Sequence, residues 1–209
     1  MSFSNIHYGS EEESFDQLAT ERVPVGTKMI IEDGRVYRFV ENGGVALVVA
    51  GMVQSEVPLA DTLIETVGTL AAGVTVLTGV GATTANVAVD AMKEGYVYTV
   101  TAAALNPAYR IKSNTLITAA AETGTITLYT PTQAAIAAAT TLSYIKSPFR
   151  DIIVAVATTP TAQVIGVAVK ALALDTFGWV QSGGVARVLV QGTWVIGDPL
   201  GPGTAAGAA

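Results

Sequence analysis

The stretch that most constrains this chain is residues 164–200, VIGVAVKALALDTFGWVQSGGVARVLVQGTWVIGDPL. It holds both tryptophans, Trp179 and Trp194. Three apolar runs, 164–169, 177–181 and 186–190, are separated by Gly183-Gly184 and Gln191-Gly192. Val, Phe and Trp suit a pleated, half-buried surface, and glycine-bearing turns between such runs mark strands. The pattern predicts that 177–181 and 186–190 pair about Gly183-Gly184. Phe177 and Trp179 then enter the core, and Trp194 follows on an adjoining strand. No acid, base or nucleophile converges here, so the segment reads as one built to pack and pair.

The rest of the chain repeats this grammar. Asp33-Gly34 between β-prone runs at 28–32 and 35–40 predicts a tight hairpin, with type I′ geometry if both central residues take positive φ. Alternation then places Arg35, Tyr37 and Phe39 on one strand face. Residues 45–53, 74–80, 94–100, 109–117, 124–129, 143–145 and 152–157 read as further strands. Residues 54–68 read as a connector with one helical turn after Pro58. The tract 132–142 is alanine-rich, but its threonines and lack of charge favour a loop. No exact repeat stands out. The expected fold is mainly β: an antiparallel β-sandwich or barrel-like domain at 68–200, preceded by a β-hairpin module and connector at 23–67. Residues 1–22, acidic and aperiodic, read as an N-terminal arm that orders only on a neighbouring subunit, and 201–209 as a flexible tail. Phe3, Tyr8, Phe15 and Leu18 are the arm's candidate anchors. With Arg35, Tyr37 and Phe39 they form a candidate subunit interface. Trp179, Trp194 and Phe177 are the candidate core.

Composition narrows the function classes. Charged residues make up 13% of the chain, against about 25% in ordinary soluble domains, so either the chain is mostly buried core or much of its surface is covered by other subunits. The net charge of −6 and the lack of a basic stripe argue against a nucleic-acid partner. The chain has no cysteine, which removes disulfides and thiolate metal sites. No uncharged apolar run is long enough to span a membrane, and the N-terminus has no secretory-signal pattern.

Chemistry is sparse. His7 is the sole histidine and reads as a surface residue. Asp33, Asp90, Glu94 and Asp198 sit at turn-like positions, and Gly79-Val80-Gly81 lacks the helix and third glycine of a nucleotide fingerprint. No catalytic, cofactor-binding or metal-ligating residue is assigned. Tyr96, Tyr98, Tyr109, Trp179 and Trp194 could form a carbohydrate or nucleobase platform, but strand spacing without accompanying charge favours packing.

The phrases VPVGTKMIIEDGRVYRFVENGG, EGYVYTV, YRIKSN, ITLYTP, SPFRDIIVAVATTPTAQVIGVAVKAL and FGWVQSGGVARVLVQGTWVIGDPL resemble virion structural proteins of tailed bacteriophages. Within that group the likeness is to capsid decoration, or cement, proteins. It spans roughly residues 23–200, with the tract 101–108 disturbing the usual spacing. The resemblance implies a non-enzymatic protein without cofactors, located on the capsid surface. Its partners would be the major capsid protein and its own copies, a trimer suiting local three-fold positions. A tail, collar or fibre subunit, or a glycan-binding or hydrolytic β domain, are the alternatives.

Overall fold

The computed structural model describes residues 6–56, 60–66, 68–82, 86–100, 107–118, 124–156, 162–193 and 208. The chain is mainly β. A 3-10 turn at Glu12–Phe15 is the sole helical element among the described residues. Two compact units form. One comprises Met1–Val57 with Pro148–Ala209, and the other, Pro58–Ser147, interrupts it in sequence. The expected division at 23–67 and 68–200 is therefore corrected. The first break lies near the expected connector. The second, at Ser147-Pro148, carries no compositional shift because both flanks are β-prone.

In the first unit the strands are β1 (Ile6–Tyr8), β2 (Gln17–Leu18), β3 (Lys28–Ile30), β4 (Val36–Asn42) and β5 (Met52–Gln54). The second unit contributes β6 (Ala60–Thr66), β7 (Val76–Ala82), β8 (Tyr96–Thr99), β9 (Tyr109–Asn114), β10 (Gly124–Leu128) and β11 (Thr141–Ile145). The chain then returns with β12 (Ile153–Val154), β13 (Val164–Ala168) and β14 (Thr176–Gly183). β6 replaces the connector expected at 54–68.

The first unit is an eight-stranded sheet in the order β1-β3-β4-β14-β13-β5-β12, with β2 also paired to β14. β4 runs along one edge of β14, while β2 and β13 share the other. Both edges of β14 are thus filled, which corrects the hairpin expected between 177–181 and 186–190. Residues 186–190 form no strand; Leu189 N–H instead donates to the Ala50 carbonyl at 2.9 Å. The β3–β4 hairpin stands, but its turn differs from the expected type. Gly34 alone among the turn residues takes positive φ (84°), with Gly34 N–H on Ile31 O and Ile31 N–H on Arg35 O. That is a three-residue loop with a bulge at Gly34. Asp33 secures it by accepting the Arg35 backbone N–H at 3.0 Å, and this bond holds the exposed Asp33 carboxyl below its ordinary range.

Alternation along β4 and β14 produces two cores. Tyr37, Phe39, Phe177 and Trp179 join Val25, Met29 and Ile31 on one side. Val40 and Val180 join Leu47, Val53, Ile152, Ile165, Ala168 and Leu172 on the other. Trp179 pairs directly with Phe39, whose ring meets the indole edge-on at 5.0 Å.

In the second unit, β10-β7-β6-β11-β8-β9 are all antiparallel and each pairs with two neighbours, so the sheet closes on itself. Leu77, Val97, Ile111, Ile126, Leu128 and Leu142 fill the core, while Arg110 and Lys112 point outward between Tyr109, Ile111 and Asn114. The barrel-like alternative thus describes this unit.

One turn recurs in both units. Leu47 bridges Leu172, Leu70 bridges Ile136, and Val87 bridges Ile117. Three residues after Leu47, Leu172, Leu70, Ile136 and Val87, at Ala50, Asp175, Gly73, Ala139 and Asp90 respectively, φ is positive. A left-handed non-glycine costs roughly 1–2 kcal/mol. The neighbouring buried Leu, Ile or Val returns about 1.5–3 kcal/mol. Two of the turns share a further device. Asn42 receives Asp175 N–H on its carbonyl and donates Nδ2 to Leu172 and Ala173 carbonyls. Asn114 receives Asp90 N–H and donates Nδ2 to the Ala88 carbonyl.

Candidate interaction surface

These turns supply the feature that most needs a function. After Leu47, Leu70, Val87, Ile136 and Leu172 come two exposed positions each: Val48 and Val49, Ala71 and Ala72, Ala88 and Val89, Ala137 and Ala138, Ala173 and Leu174. Every one is apolar. Turn tips in water ordinarily carry Asn, Asp, Ser or Gly. Val89 is 64% exposed and Leu174 53%. In the first unit Val45, Val185 and Val190 are exposed as well. Leu189, bonded to Ala50, stands beside the Val48-Val49 tip.

The candidate interface residues divide differently from the expectation. Phe3 lies outside the described residues, as does Trp194 of the candidate core. Tyr8 is 79% exposed and Phe15 is partly so. Leu18 pairs with Phe177 and packs on the aromatic core of its own unit. Arg35 is engaged by Glu11 at 2.5 Å and Asp33 at 2.6 Å, which raises its pKa above the ordinary arginine value, the Glu11 bond contributing most. Tyr37 and Phe39 are fully buried in the chain's own core, so their place in the candidate interface is corrected. Their strand face is covered by the chain's own residues, Trp179 and Phe177 among them. Phe177 and Trp179 are core residues as expected.

The arm expectation is corrected too. Residues 6–18 pair with their own sheet: β1 lies parallel to β3, and β2 antiparallel to β14. His7 stacks on Trp179 with ring centroids 6.2 Å apart, and its Nε2 meets Glu13 at 2.9 Å.

Two buried charged groups have structural partners. Glu94 sits at positive φ with its carboxylate held by Tyr129 Oη at 2.5 Å and Arg110 Nη2 at 2.5 Å. Arg150 joins Glu41 to Glu21, the latter at 3.3 Å. Both arrangements tie loop to strand within one unit, and neither brings a nucleophile to a base. Among the described residues no three His, Asp or Glu side chains are placed to hold a metal ion, and no helix is long and apolar enough to cross a membrane.

No family model, curated protein or solved structure matches the chain.

The turn tips escaped the reading by sequence, although a signal was present. Val87-Ala88-Val89-Asp90 and Leu172-Ala173-Leu174-Asp175 share an apolar-Ala-apolar-Asp pattern. It is too short to register as a repeat until the bridges and the two asparagines are seen.

Proposed function

We propose that the chain is a non-enzymatic virion protein of a tailed bacteriophage that binds the outside of the capsid shell and stabilises it by bridging coat subunits. One observation carries the reading: exposed turn tips made wholly of alanine, valine and leucine, on a chain with 13% charged residues. Apolar side chains gathered at turn tips, rather than scattered singly, suit a surface that a partner covers. The sequence likeness to decoration proteins supplies the partner, the major capsid protein, and a trimer on local three-fold positions supplies the geometry.

The mechanism is mass action. A protein that binds only assembled subunits stabilises the assembled state by RT ln(1 + [L]/Kd). Each fully buried valine or leucine contributes about 1.5–3 kcal/mol. Association costs roughly 4–15 kcal/mol, so one tip cannot hold the protein and several must engage together. The test is co-sedimentation of the purified protein with shells that lack it, comparing wild type with Val49→Asp/Leu174→Asp. The reading expects wild type to pellet with shells and the variant to stay in the supernatant. A wild-type protein that never pellets with shells overturns it.

A further inference from the structure

We propose that residues 6–18 form a latch that closes over Trp179 in the free chain and opens as one piece before the sheet beneath it. This inference concerns the chain alone and stands whether or not the capsid reading does.

Several observations carry it. The segment is cross-braced to itself: Glu13 holds His7 at 2.9 Å, so β1 and the 3-10 turn move together. Its attachments to the sheet are short. β1 pairs with β3 over Ile6, His7 and Tyr8 only, in the slanted parallel pattern that is the weaker of the two. β2 pairs over Gln17 and Leu18. Side chains complete the hold: Arg22 on Glu13 and Asp16, Arg35 on Glu11, and Lys170 Nζ on the Phe15 carbonyl at 2.7 Å. All of these but Glu13 are largely or partly solvated, and salt screens such contacts.

The seam between latch and hairpin is loosely filled. A cleft of about 340 Å³ is lined by Gly9, Ser10 and Glu11 on the latch and by Ile31, Glu32, Asp33 and Arg35 on the hairpin. Closure also buries a polar group without a partner: Trp179 Nε1, fully buried, makes no hydrogen bond among the described residues. Opening would return it toward water. By contrast β4 and β14 are paired along their whole length, so the sheet survives when the latch leaves. What opening uncovers is the backbone edge of β3 and the indole of Trp179. A bare strand edge is a template for another strand.

Glu13 is the hub of the device, because it takes both His7 and Arg22. Gly9 is its tightest fit: a Cβ there would lie 2.3 Å from Met29 Sδ and 2.7 Å from Glu13 Oε2. The test is hydrogen exchange on the full chain in low and high salt, for wild type, Glu13→Gln and Gly9→Ala. A second readout is acrylamide quenching of Trp179 in a Trp194→Phe background. In wild type, 6–18 should exchange as one block, faster than 36–42 and faster still in high salt. Each variant should raise exchange of the latch by about five- to thirty-fold, a shift of one or two kcal/mol, with 36–42 unchanged and Trp179 quenching increased. Wild-type exchange of 6–18 at the same rate as 36–42 at both salt concentrations would overturn the proposal, even if a variant failed to fold. Latch exchange in the folded variants no faster than wild type would also overturn it.

Discussion

Replacing Trp179 with alanine tests the packing of the first unit at its centre. The indole is 1% exposed, lies against Phe39 at 5.0 Å and shares its core with Met29, Tyr37 and Phe177. Large-to-small changes at such sites cost about 3–5 kcal/mol, from lost transfer energy and the cavity left behind. One offset lowers this figure. Trp179 Nε1 is buried without a hydrogen bond among the described residues, and removing an unpaired donor recovers part of its roughly 1–3 kcal/mol penalty. The expected loss is therefore near the lower end, about 3 kcal/mol. For a unit of this size that corresponds to a fall on the order of 10 °C or more in melting temperature. Trp179→Phe keeps a ring against Phe39 and also sheds the unpaid donor, so it should cost clearly less than alanine. Scanning calorimetry on the free protein, with hydrogen exchange at 36–42 and 176–183 to localise the change, reads both. A loss below about 1 kcal/mol for the alanine variant, or equal losses for the two, would refute the reasoning.

Three further outcomes are expected. Burial holds the Tyr37 phenol above its ordinary value, so its contribution to stability is present below about pH 10 and lost as pH rises from there toward the folded value, because the unfolded tyrosine ionises first. Tyr37→Phe should be neutral or stabilising at pH 7 and should flatten the alkaline loss in urea midpoints; parallel pH profiles would count against the assignment. Gly34 has open space around it but φ of 84°, so Gly34→Val should cost about 1–2 kcal/mol from backbone strain alone, with Gly34→Asn much milder, as urea titration can check. Val49→Asp/Leu174→Asp should change the stability of the free protein by no more than about 0.5 kcal/mol, since both sites are exposed.

Much of the strand content was legible because it rests on local rules. β3 and β4 around Gly34, β8 at Tyr96–Thr99, β10 at Gly124–Leu128 and β13 at Val164–Ala168 follow from alternation and turn residues. The burial of Phe177 and Trp179 followed from their setting among valines. What was illegible is non-local. Residues 186–190 look as β-prone as 177–181, yet β14 already has β4 on one edge and β2 with β13 on the other, a fact of topology that no local pattern records. Tyr37 and Phe39 read as interface residues, since alternation gives a face but not what covers it. The second unit's exit at Ser147-Pro148 was hidden because a strand lies on each side of it. The apolar turn tips were hidden for a different reason: Ala88-Val89 and Ala173-Leu174 carry none of the Gly, Asn, Asp or Ser that marks a turn, and the bridges show them turning in solvent.

The capsid reading is tested most directly by electron cryomicroscopy of intact virions that carry the protein, at a resolution that traces its strands. The reading predicts density for the eight-stranded sheet on the outer face of the shell, contacting more than one coat subunit, with turn tips such as Val48-Val49 and Ala173-Leu174 buried at those contacts. Density for the chain on the tail or inside the shell, or turn tips facing solvent in the assembled particle, would contradict it.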